Sequence, residues 1–234
     1  MPTVVSVLPL LDGIYPLMSL RFGNAKSADV RLRKRSIISI PAPISAIVFT
    51  NIWIRHVYPD PKPGDVLLDL GTNIGMFSLY ALSHGVKYVH CVEPCPDSVN
   101  RIEKHMTEWG FRDRANIMQA GVAAQGGQGF VPSTTSVANT VTSEANTGMV
   151  PVPLLDVATL LDSLQPRPPY IKCDVEGNEV PLIRRLITSS ALSSVDTIAM
   201  EVTSDEKEIG ELLEKAGFKV EIQYEPEIII IGRR

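Results

Sequence analysis

From Val66 to the C-terminus, short apolar runs alternate with segments in which apolar residues recur every three or four positions. Short runs rich in β-branched residues read as strands and the helical period between them as crossover helices, so the pattern predicts βαβ units in a mostly parallel sheet. Strands are expected near 66–70, 88–92, 115–120, 170–173, 196–202, 217–224 and 227–232. Helices are expected near 75–84, 96–109, 154–164, 178–188 and 205–215. Only the short Glu-Pro-Glu stretch at 225–227 separates the last two strands. They must therefore pair as an antiparallel hairpin, because parallel neighbours need a dozen or more connecting residues.

Two stretches depart from this alternation. Residues 1–62 carry proline breaks, a helix-like segment from Ile44 to Tyr58 and a proline-rich turn that delivers the chain into the first core strand. They are expected to form an N-terminal extension packed on a domain spanning 63–234. The first twenty residues are apolar, but Pro9, Asp12, Gly13 and Pro16 interrupt them and no basic leader precedes them, so no membrane span is expected. The second departure, Ala123 to Val152, is rich in Gly, Ser, Thr and Asn and too long for a plain connection. Two readings stand: a lid or substrate loop at the ligand-facing edge of the sheet, or a β-hairpin insertion without substrate contact.

At 234 residues, 44% apolar and 21% charged, the chain has the make-up of one folded α/β domain. A net charge of −4 argues against a surface built for nucleic-acid backbone, with one short basic run, Arg31, Arg33, Lys34 and Arg35, as the exception. Cys91, Cys95 and Cys173 are odd in number and sit on or beside expected strands. They read as reduced thiols of a cytoplasmic protein, and no zinc-type ligand spacing accompanies them.

The chemistry concentrates in three places. In Leu68–Gly75, strand, glycine turn and helix meet, which brings backbone N–H groups and a helix N-terminus to one point. A pyrophosphate-binding turn has a second glycine where Asn73 stands, and Asp69 beside it would repel a pyrophosphate but attract the cationic amino group of S-adenosylmethionine (SAM). Glu93 closes the second core strand eighteen residues beyond Gly75, close to the offset at which a carboxylate reaches ribose hydroxyls. The third place is Tyr170–Ile183. If the chain stays extended there, Lys172, Asp174 and Glu176 point to one side beside the cofactor crevice.

These stretches, "LLDLGTNIGMFSLYAL", "VEPCPDSVNRI", "VPLLDVATLLD", "YIKCDVEGNEVPLI" and "IAMEV", resemble in order and spacing the successive motifs of the FkbM family of SAM-dependent methyltransferases. The resemblance covers about 66–202 and leaves the N-terminal 60 residues unmatched. It implies a Rossmann-like class I methyltransferase fold, α/β, with seven strands, and methyl transfer to a hydroxyl of a sugar, polyketide or similar molecule. Asp69, Gly71, Asn73, Gly75 and Glu93 match the family's cofactor positions, and Lys172, Asp174, Glu176 and Gly177 its fourth-strand motif. Thr72 and Asn178 stand where alanine is common.

The expected cofactor set is Asp69, Gly71, Thr72, Asn73, Ile74, Gly75, Glu93, Pro94 and Gly121. Asp174 is expected to accept the proton of the acceptor hydroxyl or to hydrogen-bond it, with Glu176 and Lys172 orienting it. A magnesium ion held by Asp174 and Glu201 is an alternative route to a more acidic hydroxyl. RNA is an alternative acceptor, and a SAM-binding partner subunit without catalysis an alternative role.

Overall fold

A computed structural model describes residues 27–32, 36–41, 48–134 and 139–234. The apolar N-terminal stretch, Arg33, Lys34 and Arg35 of the basic run, and the start of the helix-like segment at Ile44 lie outside the described residues. Strands β1 (Ser27–Leu32) and β2 (Ser36–Pro41) pair as an antiparallel hairpin that the hydrophobic pattern did not indicate.

The core strands are β3 (Val66–Leu70), β4 (Tyr88–Glu93), β5 (Ala115–Gln119), β9 (Tyr170–Cys173), β10 (Thr197–Val202), β11 (Lys219–Gln223) and β12 (Ile228–Arg233). They form one sheet in the order β11-β12-β10-β9-β3-β4-β5. Pairing is parallel from β5 through to β10, while β12 runs antiparallel to both β10 and β11. The antiparallel finish and the central strands stand as the periodicity implied. Side chains alternate between two cores: Leu67, Ala199, Ile229 and Ile231 enter one, and Leu68, Ile198, Met200 and Ile230 the other.

Helix α1 (Met76–Ser83) is buried from Met76 to Leu82, so its apolar residues surround it instead of forming a stripe. The cause is a third layer. A π-helical segment, Thr50–Arg55, lies outside α1, where Trp53 stacks on Phe49 at 5.5 Å and meets the edge of Tyr80 at 5.2 Å. Helix α2 (Pro96–Glu108) begins with proline at its first position and buries Ser98, Ile102, His105 and Met106 at helical spacing.

The insertion after β5 is a second small sheet of β6 (Gly121–Ala123), β7 (Gly127–Pro132) and β8 (Met149–Asp156), with β7 antiparallel and β6 parallel to β8. Because β8 continues to Asp156, helix α3 (Val157–Ser163) starts later than the expected 154. Asp156 accepts a hydrogen bond from the Thr159 N–H at 2.8 Å and caps the helix there. Helices α4 (Glu179–Thr188) and α5 (Glu206–Lys215) complete the crossovers. No helix among the described residues is long and apolar enough to cross a membrane.

From β3 the chain winds outward to β4 and β5, then returns across the sheet to β9 and β10. The crevice between the carboxyl ends of β3 and β9 is the switch point at which open α/β sheets bind ligands.

Candidate active site

At the end of β3, Gly71 (φ 71°), Asn73 (φ 52°) and Gly75 (φ 88°) take left-handed conformations and fold a tight turn into α1. The Gly71 and Thr72 N–H groups both donate to the Val92 carbonyl, at 3.0 and 3.2 Å, which ties the turn to β4. The Asp174 N–H donates to the Leu70 carbonyl at 3.0 Å. A Cβ on Gly71 would fall 1.7 Å from the Asp174 carbonyl oxygen, so the turn touches the end of β9 backbone to backbone.

Glu93, 5% exposed, is held at both oxygens: Oε2 accepts from the Asn73 N–H at 2.8 Å and Oε1 from the Cys95 N–H at 2.9 Å. Each carboxylate oxygen keeps a second lone pair for a ligand. Burial pushes the Glu93 carboxyl up to about 7, against the two backbone N–H groups that favour its charge.

Beneath the turn lies a buried ionic node. Lys172 Nζ donates to the Gly71 carbonyl at 2.8 Å and to Asp174 Oδ2 at 3.2 Å, and it faces Asp69 Oδ1 at 3.5 Å. The other Asp69 oxygen accepts from the Ser78 hydroxyl at 2.7 Å. Burial works to neutralise Lys172, but the charges of Asp174, Asp69 and Glu201 outweigh it and hold the ammonium above the usual lysine range. The lysine thus remains a cation that ties turn, β3 and β9 together.

A cavity of about 360 Å³ opens above the turn, within the range of small-molecule sites. Val92, Ala120, Val122, Val141 and Leu154 give it apolar walls, and Glu93, Asp174 and Glu176 supply three carboxylates. No cationic side chain lines it among the described residues. Such a lining suits a ligand with positive charge and hydroxyl donors and opposes a pyrophosphate. The insertion forms part of the wall through Gln128, Asn139, Val141, Thr142 and Ser143. The stretch is a β-hairpin insertion, and it borders the cavity.

On the far side of Asp174, the segment before β3 reaches over the sheet edge. Tyr58, 5% exposed, donates its hydroxyl to Glu201 Oε2 at 2.7 Å, and its ring lies 5.6 Å from Lys172 Nζ. Asn51 Nδ2 lies 2.9 Å from both oxygens of Glu227.

The family model described as the methyltransferase FkbM domain matches residues 69–220. The chain belongs to the FkbM methyltransferase family. It is similar to the hexuronic acid methyltransferase AglP of Haloferax volcanii, 29% identical over 189 residues that cover 77% of this chain and 75% of that protein. A shorter likeness, 47% identity over 51 residues, covers 21% of this chain and 19% of the 31-O-demethyl-FK506 methyltransferase FkbM of Streptomyces tacrolimicus. Among solved structures, the precorrin 8w decarboxylase of Methanobacterium thermoautotrophicum shares the fold at a TM-score of 0.50 and 17% identity, over 83% of this chain and 94% of that one.

As an FkbM-family enzyme the protein is a SAM-dependent methyltransferase, and the cavity's chemistry fits that cofactor. Glu93 keeps lone pairs that suit hydroxyl donors such as a ribose diol, the apolar walls suit a ring, and three carboxylates in a lining without a cationic side chain suit a cation. Of the expected cofactor set, Gly71, Asn73, Glu93, Pro94 and Gly121 border the cavity. The other four support it from behind. Asp69 is fully buried against Ser78 and Lys172, and the Thr72 hydroxyl donates to the Asp69 carbonyl at 2.7 Å and accepts from the Val92 N–H at 3.1 Å. Ile74 lies in the core and Gly75 caps α1.

Asp174 and Glu176 border the cavity, whereas Lys172 sits beneath it. The alternation expected over 172–176 stops because β9 ends at Cys173 and the chain turns through left-handed Glu176 (φ 48°) and Gly177 (φ 87°). For magnesium, Asp174 and Glu201 find no third carboxylate, histidine or cysteine arranged with them among the described residues, and Lys172 occupies one Asp174 oxygen. Tyr58 and Asn51 carried no motif, since their partners lie 143 and 176 residues away. The polar composition of 123–152 was the one available signal for the hairpin wall.

A pH dependence follows from Glu93. The charged carboxylate is the form able to accept from two hydroxyls at once, so if Glu93 meets the ribose, as its place predicts, binding below about 7 must expel a proton from it. SAM affinity measured by calorimetry is expected to be roughly tenfold weaker at pH 6 than at pH 8. Glu93→Gln is expected to bind weakly at both, with the pH slope removed.

Proposed function

We propose that the protein methylates a hydroxyl oxygen of a sugar or related small molecule, and that Asp174 receives the acceptor hydroxyl. The observation that carries this reading is the place of Asp174: its side chain borders the cofactor cavity and is held by Lys172 at 3.2 Å. The similarity to a hexuronic acid methyltransferase supports a sugar acceptor. Asp174, Glu176, Glu201 and Glu227 would repel the phosphates of RNA, which disfavours that acceptor.

Bound SAM supplies an electrophilic methyl group on a sulfonium. Glu93 holds the ribose, the Gly71–Gly75 turn shapes the floor, and the hairpin wall limits water. Asp174 accepts a hydrogen bond from the acceptor hydroxyl and so directs an oxygen lone pair, while Lys172 fixes the rotamer of Asp174. Positioning of this kind contributes much of the rate in transfer reactions. Residues 63–234 form the methyltransferase domain, with residues 48–62 packed on it, and the three buried free thiols suit work in the reducing cytoplasm.

Transfer of labelled methyl from SAM to a panel of glycosides and RNA tests this reading. Asp174→Asn is expected to lower kcat about a hundredfold, with SAM affinity by calorimetry close to that of the wild type. A variant that transfers at the wild-type rate overturns the role of Asp174, and label in RNA alone overturns the sugar acceptor.

A further inference from the structure

The carboxyl edge of the sheet holds a second pair, Tyr58 and Glu201, that does not line the cofactor cavity. Parallel pairing of β9 with β10 matches Lys172 to Ala199 and Cys173 to Met200, and Asp174 and Glu201 are the residues that follow this last pair, near enough for the charge of Asp174 to act on Glu201. One oxygen of Glu201 takes the Tyr58 hydroxyl at 2.7 Å. Tyr58 itself is fixed by Phe77, whose ring meets it edge-on at 5.2 Å. Lys172 touches Asp174 at 3.2 Å but makes no ion pair with Glu201.

We propose that Glu201, aimed by the Tyr58 hydroxyl, is the base that takes the proton of the acceptor hydroxyl, a proton that Asp174 first accepts as a hydrogen bond and that turns to Glu201 as the methyl group is transferred. This rests on the O-methyltransferase reading and assigns it a division of labour. As the acceptor oxygen bonds to the methyl carbon, the carbon–sulfur bond breaks with its electron pair left on sulfur. The hydroxyl proton passes to Glu201, which becomes a neutral carboxylic acid and later returns the proton to water. The positive charge of the sulfonium and the negative charge of Glu201 vanish together, so no net charge is left in the site.

The surroundings of Glu201 suit the task. Asp174 from β9 and Glu227 from the turn before β12 oppose its ionisation, and Lys172 and the Tyr58 hydroxyl favour it. Burial is the largest influence, and the balance leaves the carboxyl at about 7, near the optimum for proton exchange at neutral pH. Tyr58 is a positioning residue: it occupies one carboxylate oxygen and leaves the other to the acceptor.

The test combines infrared titration of carboxyl bands in the full chain, calorimetry with SAM, and labelled methyl transfer to methyl β-D-glucoside and methyl β-D-glucuronide. Glu201→Gln should remove one carboxyl band that titrates near neutrality, and Tyr58→Phe should move that band to higher pH, with SAM affinity within twofold of wild type in both. With the glycosides, Glu201→Gln should lower kcat at least a hundredfold and abolish the acidic limb of the pH profile, whereas Asp174→Asn lowers kcat but keeps the limb. Tyr58→Phe should shift the limb upward in pH. Glu93 also titrates near 7, so a Glu201→Gln protein that keeps both neutral carboxyl bands of the wild type, or keeps the limb in kcat at saturating SAM, overturns the inference. Wild-type protein that fails to bind SAM overturns the cofactor reading instead. Wild-type protein that binds SAM but labels neither glycoside overturns the sugar-acceptor reading, and the infrared result then decides the role of Glu201.

Discussion

Gly71→Ala is expected to yield a protein that unfolds at least about 4 kcal/mol more easily and no longer binds SAM, an effect at the severe end for a single substitution. The added Cβ would lie 1.7 Å from the Asp174 carbonyl oxygen, far inside van der Waals contact. Alanine at φ 71° adds roughly 1–2 kcal/mol of backbone strain of its own. Relief by movement is blocked, because Asp174 is bonded to Leu70 at 3.0 Å and Gly71 to Val92 at 3.0 Å. Any shift therefore parts β3 from β9 and displaces Asp174 with it. Gly177→Ala is the control: its φ is 87°, but no atom lies within 4 Å of the new Cβ, so only the backbone strain remains. Urea denaturation of the two variants should separate them by several kcal/mol, and equal losses would show that the contact at Gly71 is not what matters.

Lys172→Met is expected to cost about 3–5 kcal/mol, the range for removing one partner of a buried ion pair. The loss comes less from the missing bonds than from what is left behind. Asp69 is fully buried, and without the ammonium only the Ser78 hydroxyl at 2.7 Å supports its charge. Burial already raises the Asp69 carboxyl and Lys172 is the main opposing influence, so the variant should bind a proton there. A carboxyl whose native pKa lies above its unfolded value binds protons more tightly when folded, so its stabilising effect is present at low pH and fades as pH rises through the native value. The deficit of Lys172→Met should accordingly be smaller at pH 5 than at pH 8. Adding Asp69→Asn should recover part of the stability, because the uncompensated charge is then gone. Arginine is no substitute, since a planar guanidinium does not fit a site in which the lysine is 4% exposed. If the single and double variants unfold alike at both pH values, the node does not stabilise the turn as described.

Much of the scaffold was legible because it is governed by local periodicity. The strands from β3 to β12 in the main sheet and the helices from α1 to α5 lie within a few residues of their expected positions, and the antiparallel finish followed from the length of one turn. The exceptions have local causes. Residues 154–156 belong to β8 because Asp156 caps the helix after them, a choice made by its bond to Thr159 at 2.8 Å and its salt bridge to Arg185 at 2.7 Å. The β1–β2 hairpin and the small sheet of the insertion were not placed, since their ladders depend on partners that a period count does not identify.

For the site, the sequence by itself determined which chemistry is present: a glycine turn, a carboxylate at the end of the second core strand, and a Lys-Asp-Glu group beside the fourth. These are short-range patterns tied to strand ends, and strand ends converge at the switch point of any such sheet. Only the tertiary structure decided the depth of each group. Asp69 and Lys172 alternate with their neighbours as cavity residues would, yet register pairs them with each other below the turn, where burial makes them a structural ion pair. Likewise, Tyr58 meets Glu201 only because a segment 143 residues earlier folds across the sheet edge. Periodicity reports which face of an element is apolar, but not which distant side chain closes over it. That closure separates the groups that touch the cofactor from those that hold the site together.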